Sequence, residues 1–379
     1  MKILLIRNAF RYDYGGGERF PVNLALELRK HGYEPIIVSR SPKVLAHAQT
    51  AGVQYIRGWW WSWQSWSGKR VILVPAYLTW QILLTCWYLQ LIVRMQPQVV
   101  HPQSKDDFIA ASLAARLLGK RVIWTDHADL KYVLAKHQLW YKNPVGKLVY
   151  TCSRLAASVT LVSHSEAKLI AEQLGHAVPR NFRVIHNGVH DVTARPYPRS
   201  KHEQGKFIFC ATSRLVVAKG IGELIEAFQQ LTTHYPDTIL WFVGGGPEEK
   251  HFREQASHTD AIRFIGHSEE PLRYVAASDV FVHPSYHEGF SLSLVEAAML
   301  AKPIIACEVG GNVEIVKQGI TGLLVPAYDA RTLAYAMRQL LAQPTFAHRL
   351  GLAARAAYEK QFDFERIVTE QFIPLYEHQ

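Results

Sequence analysis

Cysteine is scarce in this chain. Four occur in 379 residues, at Cys86, Cys152, Cys210 and Cys307, and no two form a C-x-x-C pair. That spacing argues against a disulfide frame or a zinc cluster and fits a reducing compartment. No D-x-D pair occurs either, so that signature of a divalent-cation clamp is lacking. The opening apolar run, Ile3–Ile6, stops at Arg7. It is too short for a secretory signal core and reads as a first buried strand, so a cytoplasmic location is expected. Repeats and low-complexity tails are missing as well. Acidic side chains are few in the first half. Residues 1–190 hold 10 Asp and Glu against 24 Lys and Arg, a net +14, whereas residues 191–379 hold 22 against 18, a net −4. A basic half points to an anionic partner, nucleic acid or anionic lipid, with a merely solvated basic surface as the plain alternative. No RNA- or DNA-binding module is recognisable, which argues against nucleic acid.

What the chain does have is a regular alternation of short apolar runs with helical stretches. The candidate strands of the first half are Lys2–Ala9, Pro35–Arg40, Val53–Arg57, Val99–Gln103, Arg121–His127, Ser158–Val162 and Arg183–His186. Those of the second half are Phe207–Ala211, Thr238–Val243, Ile262–Ile265, Val280–His283, Pro303–Ala306 and Leu323–Val325. Such runs, separated by helices, imply parallel sheets covered on both faces. The expected class is α/β, with two doubly wound Rossmann-like domains. The segment Asn187–Gln204, with Gly188, Pro196 and Pro198 and no apolar period, reads as the linker.

One stretch departs from this pattern. Five tryptophans fall within Trp59–Trp66, and the 23 residues Val71–Val93 carry no charge. The second run is long enough to cross a bilayer. Pro75, Thr79, Gln81, Thr85 and Gln90 interrupt it, and strands of one sheet are expected on both sides of it. A membrane-facing patch, an ordinary core helix with an aromatic cluster, and a true span are the three readings. Tryptophan at headgroup depth, with Arg57, Lys69 and Arg70 near, favours the first.

Five motifs carry chemistry, and each follows a strand. Gly15-Gly16-Gly17-Glu18 precedes a helix expected over Arg19–His31, whose N-terminus could face an anion. It is not G-x-G-x-x-G, so a nicotinamide cofactor is not expected. Arg214…Lys219-Gly220 follows the strand Phe207–Ala211 and suits a diphosphate, the two cations lying where open α/β sheets bind ligands. Gly244-Gly245-Gly246-Pro247 marks the same sheet edge. In Asp279–Glu296 a strand runs into a loop with Glu288 and Gly289 and then into a helix expected near Ser291. The N–H groups of Phe290, Ser291 and Leu292 would face a phosphate, Glu296 would reach ribose hydroxyls, and Glu288 sugar hydroxyls. Finally, Gly310-Gly311-Asn312 could cap the sugar or phosphate side. For each, the bland alternative is a structural turn or a surface charge.

Glu288-Gly289-Phe290-Ser291-Leu292-Ser293-Leu294-Val295-Glu296 matches an E-x7-E pattern. With the Arg214…Lys219-Gly220 element, Gly244–Pro247, Ser278-Asp279, Gly310-Gly311-Asn312…Glu314 and Thr321–Val325, it resembles retaining glycosyltransferases of the large family four, which have the GT-B fold. Gly15–Glu18 and Thr125-Asp126-His127 resemble that family in the first half, and the likeness is least between Trp59 and Gln96.

The resemblance implies two Rossmann-like domains facing across a cleft: an acceptor-binding domain over 1–190, a nucleotide-sugar domain over 191–361, and a segment 362–379 that crosses back. It implies a hexosyltransferase that needs no cofactor, its nucleotide sugar being a substrate, and the missing D-x-D pair adds the expectation that no metal is needed. A UDP-sugar is the first guess and a GDP-sugar the second. Gly16 and Gly17 would approach the donor diphosphate, and Arg214 and Lys219 would neutralise it. Glu288 would hold the sugar, Glu296 the ribose, and Phe290, Ser291 and Leu292 would give N–H groups beside Gly289. The base would lie near Gly266-His267, with Gly245 at the same edge, and His127 at the sugar's reacting face. The acceptor expected from the tryptophan-rich basic half is a lipid-linked glycan or glycolipid, with the enzyme peripheral on the cytoplasmic face of an anionic membrane. A 2-epimerase-like isomerase on nucleotide sugars, or a soluble transferase with a small-molecule acceptor, are the alternatives.

Overall fold

The computed structural model describes residues 1–8, 16–60, 74–127 and 144–377. Ala9, Gly15, most of the tryptophan cluster (61–66), Lys69, Arg70 and residues 71–73 lie outside the described residues. Two compact units form, one of Met1–His186 with Glu365–Gln379 and one of Asn187–Phe364.

The first unit is built on seven parallel strands: β1 Lys2–Ile6, β2 Glu34–Ser39, β3 Tyr55–Arg57, β4 Val99–Pro102, β5 Arg121–Asp126, β6 Ser158–Leu161 and β7 Phe182–Val184, in the order β3-β2-β1-β4-β5-β6-β7. Ile3, Leu4, Leu5 and Ile6 are fully buried, as a strand covered on both faces requires. Successive strands first extend to one side of β1 and then, from β4 on, to the other. The crevice at the carboxyl ends of β1 and β4 is therefore a topological switch point. The C-terminal residues pack in this unit, where Tyr376 Oη meets His101 Nδ1 at 2.8 Å.

Four helices of this unit matter below: α1 Gly16–Lys30, α2 Pro42–Thr50, α3 Val74–Met95 and α4 Lys105–Leu117. Helix α1 begins at Gly16, three residues before the expected Arg19, so Gly16 and Gly17 lie in its first turn instead of a preceding loop. Helix α3 has two unlike faces. Tyr77, Trp80, Leu84, Tyr88 and Ile92 enter the core, while Leu78, Ile82, Leu83 and Val93 are exposed. The two described tryptophans of the cluster also divide. Trp60 is 1% exposed, its ring 5.0 Å from Trp87 and 5.6 Å from Tyr88, whereas Trp59 is 48% exposed.

The second unit holds six parallel strands: β8 Phe207–Thr212, β9 Thr238–Val243, β10 Ile262–Gly266, β11 Val280–His283, β12 Ile304–Cys307 and β13 Leu323–Val325, in the order β10-β9-β8-β11-β12-β13. Its switch point lies between β8 and β11. Residues far apart in sequence, on the loops after those two strands, are thereby brought side by side.

Candidate active site

The loop after β8 carries Arg214, which is exposed, and then a short 3-10 turn, Val217–Lys219. Gly220 ends that turn with φ 66°. A side chain there would be strained, and its Cβ would run into the carbonyl oxygen of Pro284. Glycine thus lets this loop lie directly on the segment after β11, where Tyr286 N–H donates to the Ala218 carbonyl at 3.0 Å.

That seating brings Lys219 Nζ to 2.5 Å from Glu288 Oε1. His283, the last residue of β11, places Nε2 2.9 Å from the same oxygen. Its Nδ1 faces Ser293 Oγ at 3.4 Å, and Ser293 Oγ lies 3.0 Å from Ser291 Oγ. Burial would raise the Glu288 carboxyl, but the hydrogen bond from His283 and the charge and hydrogen bond of Lys219 prevail and hold it well below the usual carboxylate range. The loop after β12 closes over it from behind. Gly311 N–H donates to the Glu288 carbonyl at 3.3 Å, and a Cβ at Gly310 would strike that carbonyl. Asn312, expected as a polar contact, is fully buried and donates through Nδ2 to the Cys307 carbonyl at 3.1 Å.

The helix after Glu288 runs Leu292–Met299. The first turn of this helix is Leu292, Ser293 and Leu294, so it begins later than the expected Phe290, Ser291 and Leu292, because Ser291 is extended and acts as the cap residue. Its hydroxyl makes no capping bond and turns to Ser293. Phe290 is buried, 5.7 Å from the Phe362 ring. Glu296 follows one turn along, half-buried. Gly245, Gly266 and His267 lie at the ends of β9 and β10 on the same sheet edge. Leu215 N–H donates to the Gly245 carbonyl at 3.1 Å, Gly244 N–H to the Gly266 carbonyl at 2.8 Å, and His267 is exposed.

In the first unit, Gly17 packs so closely that a Cβ would come 2.8 Å from Arg7 Nη2 and 4.0 Å from His127 Cγ. Arg7 binds the Gln103 carbonyl and pairs with Glu18 at 3.1 Å. His127 follows β5. Both its ring nitrogens are buried and find no hydrogen-bond partner among the described residues. Burial first, and then the nearby Arg7 charge, push its pKa well down and favour the neutral imidazole.

His283, Ser293 and Arg7 were not singled out from sequence. The one available signal was a lone histidine ending an otherwise apolar strand, Val280–His283.

The chain matches two family models, glycosyl transferases group 1 over residues 197–357 and glycosyltransferase family 4 over residues 14–192. It belongs to glycosyltransferase family 4 and is a sugar-transferring enzyme. The two parallel sheets are those of the GT-B fold. A glycogen synthase of Mycobacterium tuberculosis is 29% identical over 286 residues, covering 72% of this chain and 67% of that protein. The lipopolysaccharide core biosynthesis glycosyltransferase LpsD of Rhizobium meliloti is 24% identical over 370 residues, covering 96% and 95%. Among solved structures, Anabaena HepE in complex with UDP has a TM-score of 0.79 at 18% identity over the whole of both chains.

Proposed function

We propose that this enzyme moves a hexosyl group from a nucleoside diphosphate sugar, in the first instance a UDP-sugar, to an acceptor hydroxyl with retention of anomeric configuration. The observation that carries the reading is the Glu288 carboxylate, held on one oxygen by Lys219 and His283 directly before a helix whose cap hydroxyl makes no bond to the first turn. A helix N-terminus of that kind suits a phosphate. Lys219 Nζ has three donors, so it can keep Glu288 and still reach phosphate oxygens. Arg214 adds charge to the diphosphate, and Glu296 is assigned to the ribose. Gly289 lies between Glu288 and the helix, and Gly245, Gly266 and His267 are assigned to the base. The choice of UDP draws on the Anabaena protein. In the first unit, the start of α1 at Gly16 and Gly17 is assigned to phosphate and the neutral His127 to a sugar hydroxyl.

The chemistry needs stabilisation of the leaving group. The bond from the anomeric carbon to the phosphate oxygen breaks, and its electron pair stays on the diphosphate. The sugar passes through an oxocarbenium-like state. The acceptor oxygen attacks on the same face, and its proton passes to the leaving phosphate oxygen. Fixed cations and N–H dipoles offset the developing charge. They can do this without a divalent ion.

The acceptor we assign is a lipid-linked glycan or glycolipid, reached from the cytoplasmic face of an anionic membrane. In support, the outward stripe of α3 is apolar, exposed Trp59 is next to Trp60, which packs on that helix, and residues 1–190 are strongly basic. The LpsD likeness fits a surface-glycan acceptor. A donor-hydrolysis screen over UDP-, GDP- and ADP-sugars tests the donor half of this reading. Turnover of none of them would overturn it.

A further inference from the structure

Glu288 has two oxygens, and the structure uses them unequally. Lys219 Nζ and His283 Nε2 both bind Oε1, at 2.5 and 2.9 Å. Oε2 has no partner among the described residues. The side chain is only 13% exposed, so its rotamer is set by these contacts more than by solvent. Of the two partners, Lys219 sits on a long flexible stem and is 26% exposed. His283 is different. Its side chain is 4% exposed, it stands at the end of a central strand, and its ring angle is set by Ser293 at Nδ1. The Glu288 carboxylate can only accept, so Nε2 carries a proton and donates to Oε1, which leaves Nδ1 to face the Ser293 hydroxyl. The chain of contacts runs on to Ser291, the cap of the helix Leu292–Met299. The carboxylate and the helix N-terminus are thereby referred to one rigid frame, β11 and the helix after it.

We propose that His283, oriented by Ser293, is a positioning residue for sugar transfer: it holds Oε1 of Glu288 so that Oε2 is presented to a hydroxyl of the donor sugar. This rests on the assignment of Glu288 to the donor sugar. Lys219 supplies charge at the same oxygen, and His283 supplies direction. A carboxylate rotated away from the sugar by about 1 Å costs on the order of 10²-fold in rate.

The test compares two amides of equal polarity at one buried site. His283→Gln carries an N–H donor to about the place of Nε2 and still reaches Oε1. His283→Asn keeps a polar group near Ser293 but is too short to reach Glu288. Both are measured with the nucleotide sugar that turns over best in the screen, and with the matching nucleoside diphosphate as inhibitor. The expected result is a loss of about 10²-fold in kcat/KM for His283→Asn, most of it in kcat. His283→Gln recovers the larger part, and the inhibition constant of the nucleoside diphosphate is unchanged in both. Equal activity of the two variants, or a parallel loss of diphosphate binding, overturns the positioning role. Glu288→Gln separates this from the underlying reading. If it keeps full turnover, Glu288 does not hold the sugar. If it loses turnover while His283→Asn does not, Glu288 stands and His283 is not its positioner.

Discussion

Lys219 and Glu288, 69 residues apart in the chain, share a salt bridge of 2.5 Å in the second unit. Two features make it. The strand order sets β8 beside β11, and Gly220 lets one loop lie on the backbone of the other. The pair joins a cation suited to a diphosphate with a carboxylate suited to a sugar.

Gly220→Ala should break this arrangement without touching a charged group. The residue sits at φ 66°, and its Cβ would meet the Pro284 carbonyl. We expect a loss of about 1–3 kcal/mol in stability and a larger relative fall in kcat/KM as Lys219 is displaced. Chemical denaturation and steady-state kinetics on the same preparation check both. Unchanged kinetics would mean that the loop contact does not set the site.

Glu288 gives a signed pH dependence. Its carboxyl is held below the ordinary value of 4.5, so the folded state binds its proton less readily than the unfolded chain does. Its contribution to stability is complete above that value and is lost as the pH falls from it through the folded value. Urea unfolding at steps from pH 7 to pH 3 should show a steeper acid loss for the wild type than for Glu288→Gln. Parallel curves would contradict the ion pair.

The outward face of α3 makes a separate prediction. Ile82 and Leu83 are 63% and 55% exposed. Replacing both with Glu should leave thermal stability within about 0.5 kcal/mol, as for surface changes generally. Flotation with vesicles containing anionic lipid should fall sharply, while donor hydrolysis in solution should not. Undiminished flotation would remove α3 from the membrane reading.

Metal removal is the fourth test. With Lys219, Arg214 and the helix N-terminus offsetting the leaving diphosphate, EDTA should change turnover little. A strict divalent-cation requirement would refute that division of labour.

Much of the fold was legible because its strands are buried on both faces. All thirteen expected runs are strands, with ends displaced by one or two residues in most. The helix starts were less legible. Gly16 and Gly17 look like loop residues, yet they form the first turn of α1, where the missing side chain at Gly17 admits Arg7 and His127 at close range. The tryptophans could not be divided from sequence, since Trp59 and Trp60 are adjacent and identical while only one fills the core. In the site, the pattern of Glu288 and Glu296 was visible as spacing along one chain segment. The partners of Glu288 were not. His283 acts through a side-chain rotamer, and Lys219 arrives by strand order, neither of which is written in local spacing. Gly310 and Gly311, glycines of the kind that let a ligand approach, are occupied by backbone, lying against the carbonyls of Glu288 and Gly289.

The most direct measurement is calorimetric titration of the wild type, Lys219→Ala and Glu288→Gln with a nucleoside diphosphate and with the matching nucleotide sugar. The account predicts that Lys219→Ala weakens both ligands alike, and that Glu288→Gln leaves the diphosphate untouched while removing the extra affinity that the sugar provides. Equal binding of both ligands by all three proteins would contradict it.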